Sequence, residues 1–165
     1  MSNLRFAVIT MSDSGSRGER EDTSGAALKD LFETSGYRLC CYRIIPDHID
    51  TIVQTVKDAV DRDHADLVLT TGGTGVAPTD VTPEAMNQVF DKEVPGIAEA
   101  MRAESLKITP RSVISRSRAG IYRSCLIINL PGSRKAALEN ITVVMAALEH
   151  AIEKIKGSTA DCGQN

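Results

Sequence analysis

Apolar residues along this chain switch repeatedly between short unbroken runs and helical spacing. The first run, within RFAVITM at residues 5–11, is apolar on both faces, as a central parallel strand must be when helices cover it from both sides. A polar stretch, SDSGSRGEREDTSG, follows it. Ala27, Leu28, Leu31 and Phe32 then share one helical face, and Gly36 marks the end of that helix. Residues 37–45 predict a second strand ended by Pro46 and Asp47, after which Ile49, Ile52, Val53, Val56 and Val60 recur at helical steps. Leu67, Val68 and Leu69 form a third buried strand, and it stops at Gly72, Gly73 and Gly75. Thr82 suits an N-cap and Pro83 the first helical position, so a short helix carrying Ala85, Met86, Val89 and Phe90 should start there, with another beginning near Pro95.

Residues 112–128 alternate partly, with Gly120 near the middle, and predict two strands joined by a turn, one of them antiparallel to the rest. Leu126 to Leu130 run into Pro131, Gly132 and Ser133. Beyond them Leu138, Ile141, Met145, Leu148, Ile152 and Ile155 mark one stripe of a long helix. A coiled coil would show the same stripe, but beside a sheet a core-covering helix is the better expectation. Strands alternating with helices predict an α/β fold of three layers: a mostly parallel sheet with helices on both faces, right-handed crossovers and one antiparallel strand. Such sheets bind ligands beyond the carboxyl ends of their strands, so the loops after Met11, Ile45, Thr71 and Leu130 should share one edge. No repeat or linker divides the chain. We expect one domain over residues 1–156 and a flexible tail over 157–165, where the residues are small and polar.

The candidate chemistry concentrates in LVLTTGGTGVAPTDVTPEAM, residues 67–86, which reads as strand, bare backbone and helix start. Backbone without Cβ atoms can turn several N–H groups toward an anion, and a nearby helix N-terminus adds roughly half a positive charge. This predicts a phosphate site. It is not a P-loop, because no Lys-Ser/Thr pair closes it, and Pro78 stands where a dinucleotide fingerprint would need glycine. Asp80, set between the glycines and the helix, either interacts with that helix terminus or shares a divalent cation with the phosphate. Asp47 is ambiguous in the same way, between capping the next helix and facing a ligand. The PGS turn with Ser133 reads as a helix cap as readily as a second anion site beside Arg134 and Lys135.

TTGGTG, DVTPEA, SRSRAGI and INLPGS, in this order and at this spacing, resemble the MogA/MoaB family of molybdopterin adenylyltransferases, which includes the G domain of gephyrin. The resemblance runs from RFAVITMSD at residue 5 to the helix ending near Lys156. It implies an enzyme of molybdenum cofactor biosynthesis in which the terminal phosphate of molybdopterin attacks the α-phosphate of ATP and pyrophosphate leaves. The aspartates it marks as catalytic are Asp47 and Asp80, which would also hold Mg²⁺. Matching positions expected to bind substrates are Thr71, Gly72, Gly73, Thr74, Gly75, Ser115, Arg116, Pro131, Gly132, Ser133 and Asp13. Asp22 lies in a DTSG stretch that also resembles the family's, while Arg118 and Arg123 are expected to serve only surface solubility. A homotrimer is implied as well. Two alternatives stay open: a MoaB-type carrier that binds molybdopterin without turning over ATP, and molybdenum insertion. Thr79 departs from the pattern, since many members carry a basic residue before the aspartate. SRGEREDTSG leans toward MoaB-type members, DVTPEA and INLPGS toward MogA and gephyrin.

Composition narrows the partners. A net charge of −3 over 165 residues gives no long-range pull on polyanions, so nucleic acid is not an expected partner and phosphates must be held by local groups. Cys40, Cys41, Cys125 and Cys162 form no CxxC pair, and Cys40 and Cys41, adjacent on a strand, should point to opposite faces as idle thiols in a reducing compartment. His48, His64 and His150 carry no zinc-ligand spacing, and no nucleophile elbow accompanies a Ser-His-Asp set. Without a signal-like N-terminus or a membrane-length apolar run, a cytoplasmic protein with no membrane partner is expected.

Overall fold

The computed structural model describes residues 4–159. In chain order the elements are β1 (Arg5–Met11), α1 (Asp13–Ser16), α2 (Thr23–Thr34), β2 (Arg38–Ile45), α3 (Ile49–Asp61), β3 (Leu67–Thr71), α4 (Thr82–Met86), β4 (Lys92–Glu93) and α5 (Pro95–Ile108). A 3-10 turn (Pro110–Ile114), β5 (Ala119–Tyr122), β6 (Cys125–Leu130) and α6 (Arg134–Ile155) complete the fold. The strands make one sheet in the order β2-β1-β3-β6-β5-β4. Strands β2, β1, β3 and β6 are parallel, and β5 runs antiparallel to both of its neighbours, as the partial alternation of residues 112–128 predicts.

Alternation along each strand sorts side chains into two cores. Phe6, Val8, Leu67, Leu69, Leu126 and Ile128 meet Leu28 and Phe32 of α2 and Ile141 and Leu148 of α6. On the other face Ala7, Ile9, Val68 and Ile127 meet Ile52 and Val56 of α3 and Met86 of α4. Full burial of a side chain such as Phe32 or Ile52 contributes about 1.5–3 kcal/mol, so the three-layer arrangement follows from strands that are apolar on both sides.

Four local expectations are corrected. The polar stretch after β1 is not all loop: its first residues form α1, capped by Ser12, whose hydroxyl accepts from the Gly15 amide. Residues 112–114, expected to be strand, belong to a 3-10 turn over Pro110–Ile114, and the hairpin turns at Arg123 and Ser124, where Arg123 takes a φ of 54°. The two-residue edge strand β4 escapes notice because both its residues are charged and exposed. Cys40 is the extra residue of a bulge where β2 shifts register against Phe6 and Ala7, so Cys40 and Cys41 both pack on the α3 side. Burial pushes the Cys41 thiol up to about 11, which keeps it protonated and unreactive. Gly157 and Ser158 amides bond back to carbonyls of the last turn of α6. The remainder of the expected tail, residues 160–165 with Cys162, lies outside the described residues.

Candidate active site

From β1 the chain moves to one side to make β2, then crosses to the other side to make β3. The carboxyl ends of β1 and β3 therefore flank the crevice where such sheets bind ligands. A cleft of about 590 Å³ opens there, lined by Asp13, Asp47, Gly72, Gly73, Asp80 and Ser133 among others. A second cleft of about 400 Å³ is more apolar in character and includes Thr74, Gly75, Ser115, Pro131, Ile108 and Ile114. The two meet at Gly73, Asp80 and Gly132, which line both.

The glycine loop is held by specific bonds. Gly72 has a φ of 102°, and a Cβ there would collide with the carbonyl oxygen of Met11. Its amide donates to Leu130 O at 3.1 Å, so the loop is pinned between the ends of β1 and β6. The hydroxyl of Thr71 donates to Pro131 O at 2.6 Å and lies 3.2 Å from the Ser24 hydroxyl, which joins the TTGGTG loop to the PGS turn and to the start of α2. Thr82 does not cap α4 as expected; it is fully buried within the helix and donates to Gly72 O at 3.0 Å. Thr82→Val should cost about 1–3 kcal/mol by leaving that buried carbonyl unpaired, a loss measurable as a lower urea midpoint. Among the described residues, the amides of Gly73, Thr74 and Gly75 have no protein acceptor. They are available to an anion.

Asp13 and Asp47 bond reciprocally: the Asp13 amide donates to Asp47 Oδ2 at 3.2 Å, and the Asp47 amide donates to Asp13 Oδ1 at 3.0 Å. The capping alternative for Asp47 fails, because α3 is capped by His48 with no side-chain bond. Burial first, and then the negative charges of Asp13 and Asp80, push the Asp47 carboxyl above the ordinary carboxylate range. Asp80 does not serve the α4 terminus either. Its Oδ2 accepts from the Ala77 amide at 2.8 Å and folds back on Gly75, where a Cβ would sit 2.6 Å from that oxygen. Gly75 is thus glycine to admit Asp80.

No group of three or more His, Cys, Asp or Glu residues among the described residues could hold a metal alone. The donor set still fits Mg²⁺, which keeps several waters and is held by one or two carboxylates together with substrate phosphates. Asp47 and Asp80 would supply those carboxylates, and the repulsion of Asp80 on Asp47 is what a cation would relieve.

Ser133 caps α6 and accepts from the Ala136 amide at 3.4 Å, as expected, while facing the larger cleft. Ser115 lines the smaller one and donates to the Ser117 hydroxyl at 3.2 Å. Arg116 lies outside both. Its Nε donates to Gly75 O at 2.7 Å, its Nη2 to Asp80 O at 2.6 Å, and its Nη1 to Glu84, so it braces the loop from behind. Glu84, which carried no signal as a site residue, is held below its usual range by that guanidinium. Arg118 is more than a solubilising residue: it bonds to Glu93, Pro83 O and Asn87 and lies over the Phe90 ring, tying α4 to the edge strands. Asp22 caps α2 through the Gly25 amide at 2.8 Å and also accepts from Thr10 and Tyr42, both at 2.6 Å. Arg20 at the rim of the larger cleft was not singled out by sequence, since one arginine in a polar loop has no distinguishing pattern.

A mostly parallel α/β sheet with amide-rich loops and carboxylates at one switch-point crevice defines a protein that binds phosphorylated small molecules. The chain matches the model of MoCF_biosynth, described as "Probable molybdopterin binding domain", over residues 7–150, and it belongs to that family. It is 40% identical over 162 residues to a molybdopterin adenylyltransferase of Helicobacter pylori, covering 96% of this chain and 91% of that one. It is 41% identical to the molybdenum cofactor synthesis protein cinnamon of Drosophila melanogaster, where the match covers 94% of this chain but spans 26% of the relative's length. A solved structure of the molybdopterin biosynthesis enzyme MoaB from Thermus thermophilus superposes with a TM-score of 0.87 at 41% identity, covering 94% of this chain and 98% of that one.

Proposed function

We propose that this protein adenylylates molybdopterin with Mg-ATP. One observation carries the proposal: carboxylates from two different loops, Asp47 and Asp80, line one cleft with Gly73, and Gly73 and Asp80 also line the adjoining cleft with Thr74 and Gly75, so the unpaired amides of the glycine loop lie where the two clefts meet. The likeness to the Helicobacter pylori enzyme along most of both chains supports it. A phosphate oxygen of molybdopterin would form a bond to the α-phosphorus of ATP while the bond from that phosphorus to the β-bridging oxygen breaks, and pyrophosphate leaves with the electron pair. No enzyme nucleophile is required.

The obstacle is repulsion between two polyanions. Each close charge pair costs about 4 kcal/mol at an effective dielectric near 20, whereas a helix terminus returns about 1 kcal/mol. Mg²⁺ bound at Asp47 and Asp80 would supply the missing neutralisation. The chain's own part is positional. Amides of Gly73, Thr74 and Gly75 would orient one phosphate, and Ser133 with the start of α6 another. The cleft containing Ile108 and Ile114 offers room for a ring system. We further take the protein to be a cytoplasmic homotrimer that engages neither nucleic acid nor membrane; among the described residues, no helix is long and apolar enough to cross a membrane.

The test is pyrophosphate release from Mg-ATP with molybdopterin added. Release that requires both substrates and Mg²⁺ is expected. Tight molybdopterin binding without release would replace the enzyme with a carrier.

A further inference from the structure

Asp80 sits at the end of a ten-residue loop, residues 72–81, that has little regular structure to hold it. Its own contacts are local: the Asp80 amide donates to Ala77 O at 2.9 Å, and the Asp80 carboxylate takes the Ala77 amide in return. These bonds shape the turn but do not orient it against the rest of the protein. Arg116 does. Its backbone amide donates to Thr74 O at 2.8 Å, and its side chain reaches Gly75 O and Asp80 O, so one residue grips the loop on both sides of the 75–80 turn. Glu84, in the first turn of α4, receives the Nη1 donor and a longer bond from Nη2 at 3.4 Å. Four of the five guanidinium donors are thereby engaged. Neither side chain lines either cleft.

We infer that Arg116 and Glu84 are a pair of positioning residues that set where Asp80 and the Gly73–Gly75 amides point, and that Arg116 does not contact a substrate phosphate. The inference rests on the adenylyl-transfer reading for its kinetic consequence only. Lysine cannot reproduce the grip, because one ammonium group on a flexible stem does not span three acceptors held in a fixed fork. Glutamine at position 84 keeps the shape but drops the charge that anchors the guanidinium.

Arg116→Lys and Glu84→Gln are to be compared with the unaltered protein by amide hydrogen exchange over residues 75–80 and by steady-state kinetics. Both variants should exchange faster in this segment. Arg116→Lys should lower kcat by about 10–100-fold, as expected for small misplacement of reacting groups, with KM for ATP changed less than about threefold. The double variant should be little worse than the poorer single one, since both break one unit. Unchanged exchange over 75–80, with KM for ATP raised in Arg116→Lys and kcat spared in Glu84→Gln, would make Arg116 a phosphate ligand and overturn the inference. Should Arg116→Lys not fold, Glu84→Gln gives the same reading. If the unaltered protein releases no pyrophosphate, the proposed function fails on its own, and hydrogen exchange still decides whether the pair holds the loop.

Discussion

Asp47→Asn should lower the rate of adenylyl transfer by about 10²–10³-fold, the scale of losing one electrostatic element from a reaction site, while making the free protein more stable at neutral pH. The two effects have one origin. Burial and the charges of Asp13 and Asp80 raise the Asp47 carboxyl above its ordinary range. A carboxyl whose folded value exceeds its unfolded one holds its proton more tightly in the native state. Stability is therefore lost as pH rises from the unfolded value through the folded one, and the penalty is complete above both. Asparagine removes that penalty and keeps an oxygen for the Asp13 amide. The gain should be seen in thermal melts at neutral pH and should vanish in acid, where Asp47 is protonated in both states.

The same shift sets the pH dependence of activity. In the proposed mechanism the cation would need the Asp47 carboxylate, so the rate should fall as pH drops through the raised Asp47 value. Asp13→Asn, which removes a like charge beside it, should move this acid limb to lower pH. A rate for Asp47→Asn within about threefold of the original, in an assay with saturating Mg²⁺, would remove Asp47 from the chemistry.

Gly72→Ala should be the most destabilising small substitution in the site, costing about 2–4 kcal/mol from an enforced positive φ and a backbone collision. The new methyl group meets the carbonyl of Met11 in β1, and neither partner is a flexible side chain that could move aside. Relief would require β1 and β3 to separate at the crevice, so weaker ATP binding should accompany the lower urea midpoint. Gly75→Ala makes an instructive contrast, because its methyl group would strike only the Asp80 carboxylate. It should leave stability nearly unchanged and reduce activity. A Gly75→Ala protein with full activity would show that the Asp80 position is not critical.

Where the structure departs from expectation, the departures share a cause. Thr82 and Asp47 were both candidates for helix caps because threonine and aspartate before a helical run commonly serve there. In the folded protein each finds a better partner than its own helix terminus: Gly72 O, at the other end of the same loop, for Thr82, and Asp13, from a distant segment, for Asp47. Arg116 matches the family's arginine by position, yet its donors are taken by carbonyls and by Glu84, none of them close in sequence. A residue's type and local spacing state what bonds it can make. They do not state which donor or acceptor from elsewhere will arrive first.

What the amino-acid order determined unaided was the layered α/β plan, the family and the edge on which the loops gather. Strands apolar on both faces must be covered on both sides, and the glycine and PGS turns must fall at strand ends. Only the tertiary structure decided the pairing of Asp47 with Asp13, the folding of Asp80 onto Gly75 and the bracing of that turn by Arg116. These depend on contacts between segments 30 or more residues apart, or on the path of a loop whose backbone no periodic pattern constrains.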